Sequence, residues 1–81
     1  PFNLSTTISF DLASSEIVSI NIFNIKGQLI KNICNKTYDK GTHSIIWDGK
    51  NNQGNNCGTG VYFYRMTAGK TTQSKKMMMI K

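Results

Sequence analysis

Acidic residues, histidine and cysteine are all scarce in this chain of 81 residues, and each scarcity removes a class of chemistry. The four carboxylates, Asp11, Glu16, Asp39 and Asp48, are scattered without the paired acid and base spacing that glycosidases use. A triad of nucleophile, base and orienter would have only His43 to serve as its base. Cys34 and Cys57 stand too far apart for a CxxC metal or redox motif, and two cysteines alone do not make a zinc site. The expectation is a chain with no catalytic residue, no metal and no cofactor, and therefore not an enzyme.

Long apolar runs are missing as well. Apolar residues make up 38% of the chain, but they fall in short stretches, far below the roughly 18 residues that a transmembrane helix requires. No transmembrane segment is expected. The chain opens Pro1-Phe2-Asn3-Leu4-Ser5 and passes straight into alternation, without the basic stretch and apolar core of a signal peptide. With no initiating methionine, residues 1–81 read as a single domain cut from a larger exported protein, covalently linked to an N-terminal domain. A domain of this length buries only roughly 60–65% of the surface its unfolded chain exposes, so its working surface is expected on the outside. Ten Lys and Arg against four acids give a net charge of +6. Most of these cations are spaced singly, with only Lys75, Lys76 and Lys81 clustered, and no basic stripe with stacking aromatics accompanies them, so nucleic acid is not expected as a partner.

What is present is period-two alternation. Ile8, Phe10 and Leu12 share one face of a first strand, with Thr7, Ser9 and Asp11 on the other. After the turn Ala13-Ser14-Ser15, Val18, Ile20 and Ile22 point to the core of a second strand. Asn24-Ile25-Lys26-Gly27 then makes a tight hairpin, and Gln28 to Ile33 returns as the third strand. The polar run Asn35 to Gly41 breaks the pattern. His43, Ile45 and Trp47 fall on one face of a fourth strand, expected to be its core face. The Asn- and Gly-rich stretch Asp48 to Gly60 reads as a long surface loop. Tyr62, Tyr64 and Met66 oppose Val61, Phe63 and Arg65 in the next strand, Ala68-Gly69-Lys70 turns, and a final strand runs from Thr71 to Ile80 with a bend near Ser74. β-Branched and aromatic residues with frequent turn signals, and no helical periodicity, define an all-β chain: an immunoglobulin-like or fibronectin III-like antiparallel β-sandwich of six to seven strands.

Four features invite a functional reading, and each has a structural one. His43 beside Ile45 and Trp47 reads as a packed histidine whose ring nitrogens the backbone satisfies. Asp48 to Gly54 loosely resembles a calcium loop but lacks the alternating ligands and the terminal Glu, and an Asn- and Gly-rich turn accounts for it. Cys34 and Cys57 leave both free thiols and one disulfide open; a bridge would stabilise the domain by about 3 kcal/mol in the chain-entropy model. Met77-Met78-Met79-Ile80 reads either as a terminal core strand or as an adaptable recognition strip.

Several blocks, taken in order, carry a family resemblance. Phe2-Asn3 with Ser5 to Phe10, then Ile22 to Ile30, Gly41-Thr42-His43, Trp47-Asp48-Gly49, Asn52-Gln53-Gly54 and Gly60 to Arg65 resemble the C-terminal sorting domain of type IX (Por) secretion substrates over essentially the whole chain. Leu4 stands where that family often has proline, and Cys34 and Cys57 where it is not typically cysteine. The same pattern is similar to the immunoglobulin-like domain of flagellar hook-capping proteins. The sorting resemblance implies protein secretion across the outer membrane through the type IX machinery, with periplasmic transit to the cell surface or the medium. It places recognition on Lys75, Lys76, Met77, Met78, Met79, Ile80 and Lys81, by strand addition at a sheet edge. His43, Trp47, Asp48, Gly49, Gly60, Tyr62 and Tyr64 would be the fold framework. The competing class is an accessory or adhesive immunoglobulin-like module that packs on a neighbouring catalytic domain and binds sugar if its aromatics form an exposed platform; those available are Tyr38, Trp47, Tyr62, Phe63 and Tyr64, most of which lie within alternating strands and read better as core.

Overall fold

The computed structural model describes residues 6–79. Six strands run in chain order: β1 Thr6–Leu12, β2 Glu16–Asn24, β3 Leu29–Tyr38, β4 Gly41–Trp47, β5 Gly60–Ala68 and β6 Thr71–Met79. They form two antiparallel sheets, one of two strands (β1-β4) and one of four in the order β3-β2-β5-β6. The chain crosses between sheets three times, after β1, β3 and β4, and these crossings turn four antiparallel pairings into a sandwich.

Alternation decides which side chains meet between the sheets. Ile8, Phe10 and Leu12 of β1 and Val18, Ile20 and Ile22 of β2 are all buried, as their spacing predicts. Trp47 comes from β4, Tyr62, Met66 and Ala68 from β5, and Met79 from β6. His43 and Ile45 point the same way as Trp47 but are only half-buried. Their direct partners across the pair, Phe10 and Ile8, are buried, so the two-stranded sheet is covered more deeply along β1 than along this part of β4.

Each hairpin turn has a local explanation. Asn24 closes the β2-β3 turn with its side chain, Oδ1 accepting from the backbone of Lys26 at 2.9 Å and of Gln28 at 3.0 Å, while Gly27 takes φ +82°. The β5-β6 turn is two residues long, with Gly69 at φ +59° in its first position, the arrangement that suits strand twist.

One expectation about strand limits is corrected. The polar run after Ile33 does not end the third strand: β3 continues to Tyr38, its residues Asn35 to Tyr38 paired with Ser19 to Glu16. As an edge strand it is held by backbone bonds on one side and needs no apolar alternation. Two register shifts, between Ile20 and Asn21 and between Ile22 and Phe23, further blur its period. The side-chain amide of Asn32 fills the first of these irregularities, donating to Asn21 Oδ1 at 2.9 Å and to the Cys34 carbonyl at 3.1 Å. β6 runs as one strand with β5 in an unshifted register from Thr71 to Met79, Ser74 opposite Arg65.

Alternation of this kind makes the two faces energetically unequal. Replacing fully buried Ile20 with alanine is expected to lower stability by about 3 kcal/mol through lost contacts and an unfilled cavity. Ile46→Ala, on the solvent side of β4 and 68% exposed, should change it by less than about 0.5 kcal/mol. Urea unfolding of the two variants checks the contrast.

Candidate functional site

The residues that the sequence marks as most distinctive meet at one end of the sandwich. Trp47 ends β4 in the small sheet and Tyr62 lies near the start of β5 in the large one. Their rings pack edge to face across the core with centroids 5.0 Å apart. Both carry a polar tip that burial would leave unpaired, and the loop between the strands satisfies both. Trp47 Nε1 donates to the Lys50 carbonyl at 2.9 Å, and the Tyr62 hydroxyl lies 2.8 Å from the Cys57 carbonyl and 3.0 Å from that of Gly58.

The loop has its own order. Asp48 Oδ1 accepts from the Lys50 backbone at 3.1 Å, and Asn51 Oδ1 accepts from Gln53 and Asn55, each at 3.0 Å. Cys57 N donates to the Gly49 carbonyl at 2.9 Å, Lys50 and Asn56 form a bridge, and Asn52 N reaches the Ile30 carbonyl of β3 at 3.2 Å. These oxygens are engaged by backbone N–H groups, as an Asn- and Gly-rich turn requires. Buried Gly49 sits at φ +78° under this loop. Asp48 also faces Lys31 at 3.8 Å, an exposed ion pair of small energetic weight. Among the described residues no group of three or more His, Cys, Asp or Glu stands together in a way that could hold a metal ion.

A second aromatic group closes the other end. Phe10, Tyr38 and His43 pack with centroid separations of 4.9 to 5.5 Å, Phe10 and His43 being direct cross-strand partners. His43 Nε2 lies 2.7 Å from the Asp39 carbonyl. A carbonyl only accepts, so Nε2 carries the proton and the histidine fastens the β3-β4 turn.

The two cysteines are free. Cys34 lies on β3 opposite Ile20 and Cys57 lies in the loop, each half-buried against the core. Burial pushes the Cys34 thiol above its ordinary range, against weaker opposing effects of Tyr38, the Ile20 backbone and Lys36. The Cys57 thiol is raised by burial first and by Asp48 second. Tyr62 is raised by burial, with Cys57 adding to it, and Tyr38 by burial and Cys34.

The carboxy-terminal strip is divided by its own alternation. Met77 opposes Tyr62 and Met79 opposes Gly60, and both pack on the core, whereas Met78 opposes Val61 and is 60% exposed. Lys75 and Lys76 are exposed, paired with Tyr64 and Phe63, and so leave the strand on opposite faces. Lys75 lines a cleft of about 210 Å³ between the sheets, with Asp11 and Tyr64 among its other walls. Ile80 and Lys81 lie outside the described residues, as do Phe2, Asn3 and Ser5.

One assembly of residues was not singled out in the sequence. On the outer face of the large sheet Leu29 of β3 opposes Phe23 of β2, Phe23 opposes Phe63 of β5, and Phe63 opposes Lys76 of β6. Val61 and Met78 form a neighbouring pair. The Arg65 guanidinium lies over the Phe23 ring at 5.3 Å. A groove of about 280 Å³ runs here between Phe23, Phe63 and Arg65. The signal was available in the outward positions of β5, but joining it to Phe23 and Leu29 needed the strand order and the β3 register.

The chain matches the family described as FlgD Ig-like domain over residues 2–73. Among solved structures it is similar to FlgD from P. aeruginosa, with a TM-score of 0.73 at 23% identity, over 93% of this chain and 59% of that one. At that identity the likeness concerns the fold, and the chain spans about three fifths of the FlgD chain. No curated protein matches. The all-β, immunoglobulin-like expectation and the similarity to the hook-capping domain hold. The expectation of a type IX sorting domain is corrected, together with the secretion and outer-membrane role attached to it, because the family that matches is the FlgD one. The blocks that suggested sorting are largely turn glycines and core aromatics, which belong to the sandwich and not to a destination. Nor does the matching family support sugar binding: Trp47 and Tyr62 are buried, Tyr38 and Tyr64 are half-buried, and of the five candidate aromatics only Phe63 is exposed, at 37%. Among the described residues no helix is long and apolar enough to cross a membrane, which says nothing of β-barrels.

Two solution measurements follow from this geometry. A group whose folded pKa is raised contributes stability that is complete below its ordinary value and is lost as pH rises through the raised one. Cys34, Cys57, Tyr38 and Tyr62 all share this sign, so stability should fall as pH climbs past the ordinary thiol and phenol values of 9.0 and 10.0. Tyr62→Phe is expected to cost about 1–2 kcal/mol at neutral pH and to show a shallower alkaline loss than the parent chain, read by urea unfolding across the pH range. Both thiols should also react with a disulfide reagent at pH 8 more slowly in the folded chain than in denaturant.

Proposed function

The chain belongs to the FlgD Ig-like domain family, and from that premise we propose that it is a non-catalytic assembly module of a hook-capping-type protein. Its task is to hold protein partners at the hook that such proteins cap, outside the cytoplasm. It does so as one part of a longer chain, linked to a further domain of its parent. The observation that carries this reading is the extent of the family match, residues 2–73, which takes in β1 to β5 and the start of β6.

The way the chain uses its polar side chains supports it. His43 is spent on a turn carbonyl, while Asp48 and Asn51 order the loop that seats Trp47 and Tyr62. What remains outside is sheet face and sheet edge, the surfaces through which small β-sandwiches engage other proteins.

Deleting the segment that encodes residues 1–81 in the organism that carries it should give cells without completed hooks and without motility, restored by the intact gene. Electron microscopy of the cell surface is the readout. Hooks unaltered by the deletion would overturn the assignment.

A further inference from the structure

The outer face of the four-stranded sheet changes character along its strands. Toward the β5-β6 turn it carries Ser19, Asn21, Asn35, Thr67 and Thr72, with Ile17, 64% exposed, standing singly among polar neighbours. Toward the β2-β3 hairpin it becomes apolar, with Leu29, Phe23, Phe63, Val61 and Met78 adjacent across all four strands. Leu29 is 54% exposed and Phe63 37%, and Ile25 in the adjoining turn reaches 71%. Single exposed apolar side chains are ordinary, but a contiguous group rimmed by charge marks a surface that meets something.

The rim has one sign. Arg65 and Lys76 lie on this face and Lys26 in the adjoining turn. All four carboxylates of the chain are elsewhere: Asp11 on β1, Glu16 beside Gly69 at the opposite end, Asp39 in the β3-β4 turn, and Asp48 facing Lys31 at the loop. Arg65 is exposed and its guanidinium lies over the Phe23 ring at 5.3 Å, beside the apolar group, and a guanidinium is the side chain best suited to take a carboxylate through two hydrogen bonds. Charge complementarity therefore selects the occupant. Leu29 and Met78 are aliphatic and the cations are few, whereas a nucleic-acid surface needs several cations along a phosphate track.

We propose that this face docks an extended acidic segment of a partner protein, with apolar side chains laid on Phe23, Phe63 and Met78 and a carboxylate on Arg65. The proposal rests on the reading of the chain as an assembly module, and it names the side on which the partner sits.

An isotope-labelled chain of residues 1–81 is titrated with a short synthetic peptide alternating leucine and aspartate, with a leucine-lysine counterpart and with single-stranded oligothymidylate. The expected result is saturable shifts at Phe23, Phe63, Arg65, Lys76 and Met78 with the acidic peptide alone. Arg65→Glu and Phe63→Ser should each weaken it about tenfold or more while keeping native amide dispersion. No binding, equal binding of the lysine peptide, preference for the oligonucleotide, or a concentration-dependent dimer through Phe63 without peptide would each overturn the proposal. Placing Arg65→Glu in the parent protein separates the two levels. Normal hooks with this variant, but none after deletion of the domain, sink the docking face and spare the assembly reading; peptide binding that persists when deletion leaves hooks unaltered does the reverse.

Discussion

The contact between Trp47 and Tyr62 is the one on which the rest of the sandwich depends. It is the aromatic contact that joins the last residue of β4 in the small sheet to the start of β5 in the large one, and it does so with two side chains that cannot be buried without hydrogen-bond partners. The loop from Asp48 to Gly60 supplies those partners from its backbone, and to present them it must hold one conformation. Asn51, Asp48 and Gly49 impose that conformation locally. A segment whose composition suggests a mobile connection is thus a structural clamp, and the aromatic pair and the loop are each the reason for the other's order. A tyrosine that anchors its hydroxyl to backbone a few residues upstream is a recurrent device of immunoglobulin-like sandwiches, and Tyr62 follows it.

The parts of the fold that were legible in the sequence are those where alternation and burial coincide. β1, β2 and β5 lie against the core on one face and water on the other, so Ile8 to Leu12, Val18 to Ile22 and Tyr62 to Met66 announce their orientation. β3 does not, because an edge strand with two bulges is positioned by backbone pairing, to which Asn35, Lys36 and Thr37 are as suited as any apolar residue. His43 lies on the expected face with a backbone partner, but its half-burial beside a buried cross-strand partner, Phe10, is set by packing between the sheets, which no single strand records. The loop was read as surface because its side chains are polar; its role resides in carbonyl groups, which every residue has.

Function was less legible than fold for a related reason. The residues that bring two families to mind, Gly41, Trp47, Asp48, Gly49, Gly60 and Tyr62, are turn and core positions that a sandwich of this topology needs whatever its parent protein does. Likeness at such positions reports architecture. The match to the FlgD Ig-like domain settles the family in favour of the hook-capping likeness over the sorting one, a distinction the framework itself does not display. The residues that would tell such proteins apart are those the framework leaves free, on the outer sheet face and the terminal strand, and their grouping appears only after the sheet is put together.

Both edges of the large sheet are guarded. β3 is interrupted by two register shifts and carries Lys31 and Lys36, and β6 carries Lys75 and Lys76 with Lys70 in the turn before it. Unpaired strand edges attract other edges, and bulges and lysines are the means by which β-proteins prevent this. Joining of one large sheet to another along these edges is thereby disfavoured, and contact made through this sheet falls on its face, where side chains discriminate, and away from its edges, where any backbone would serve.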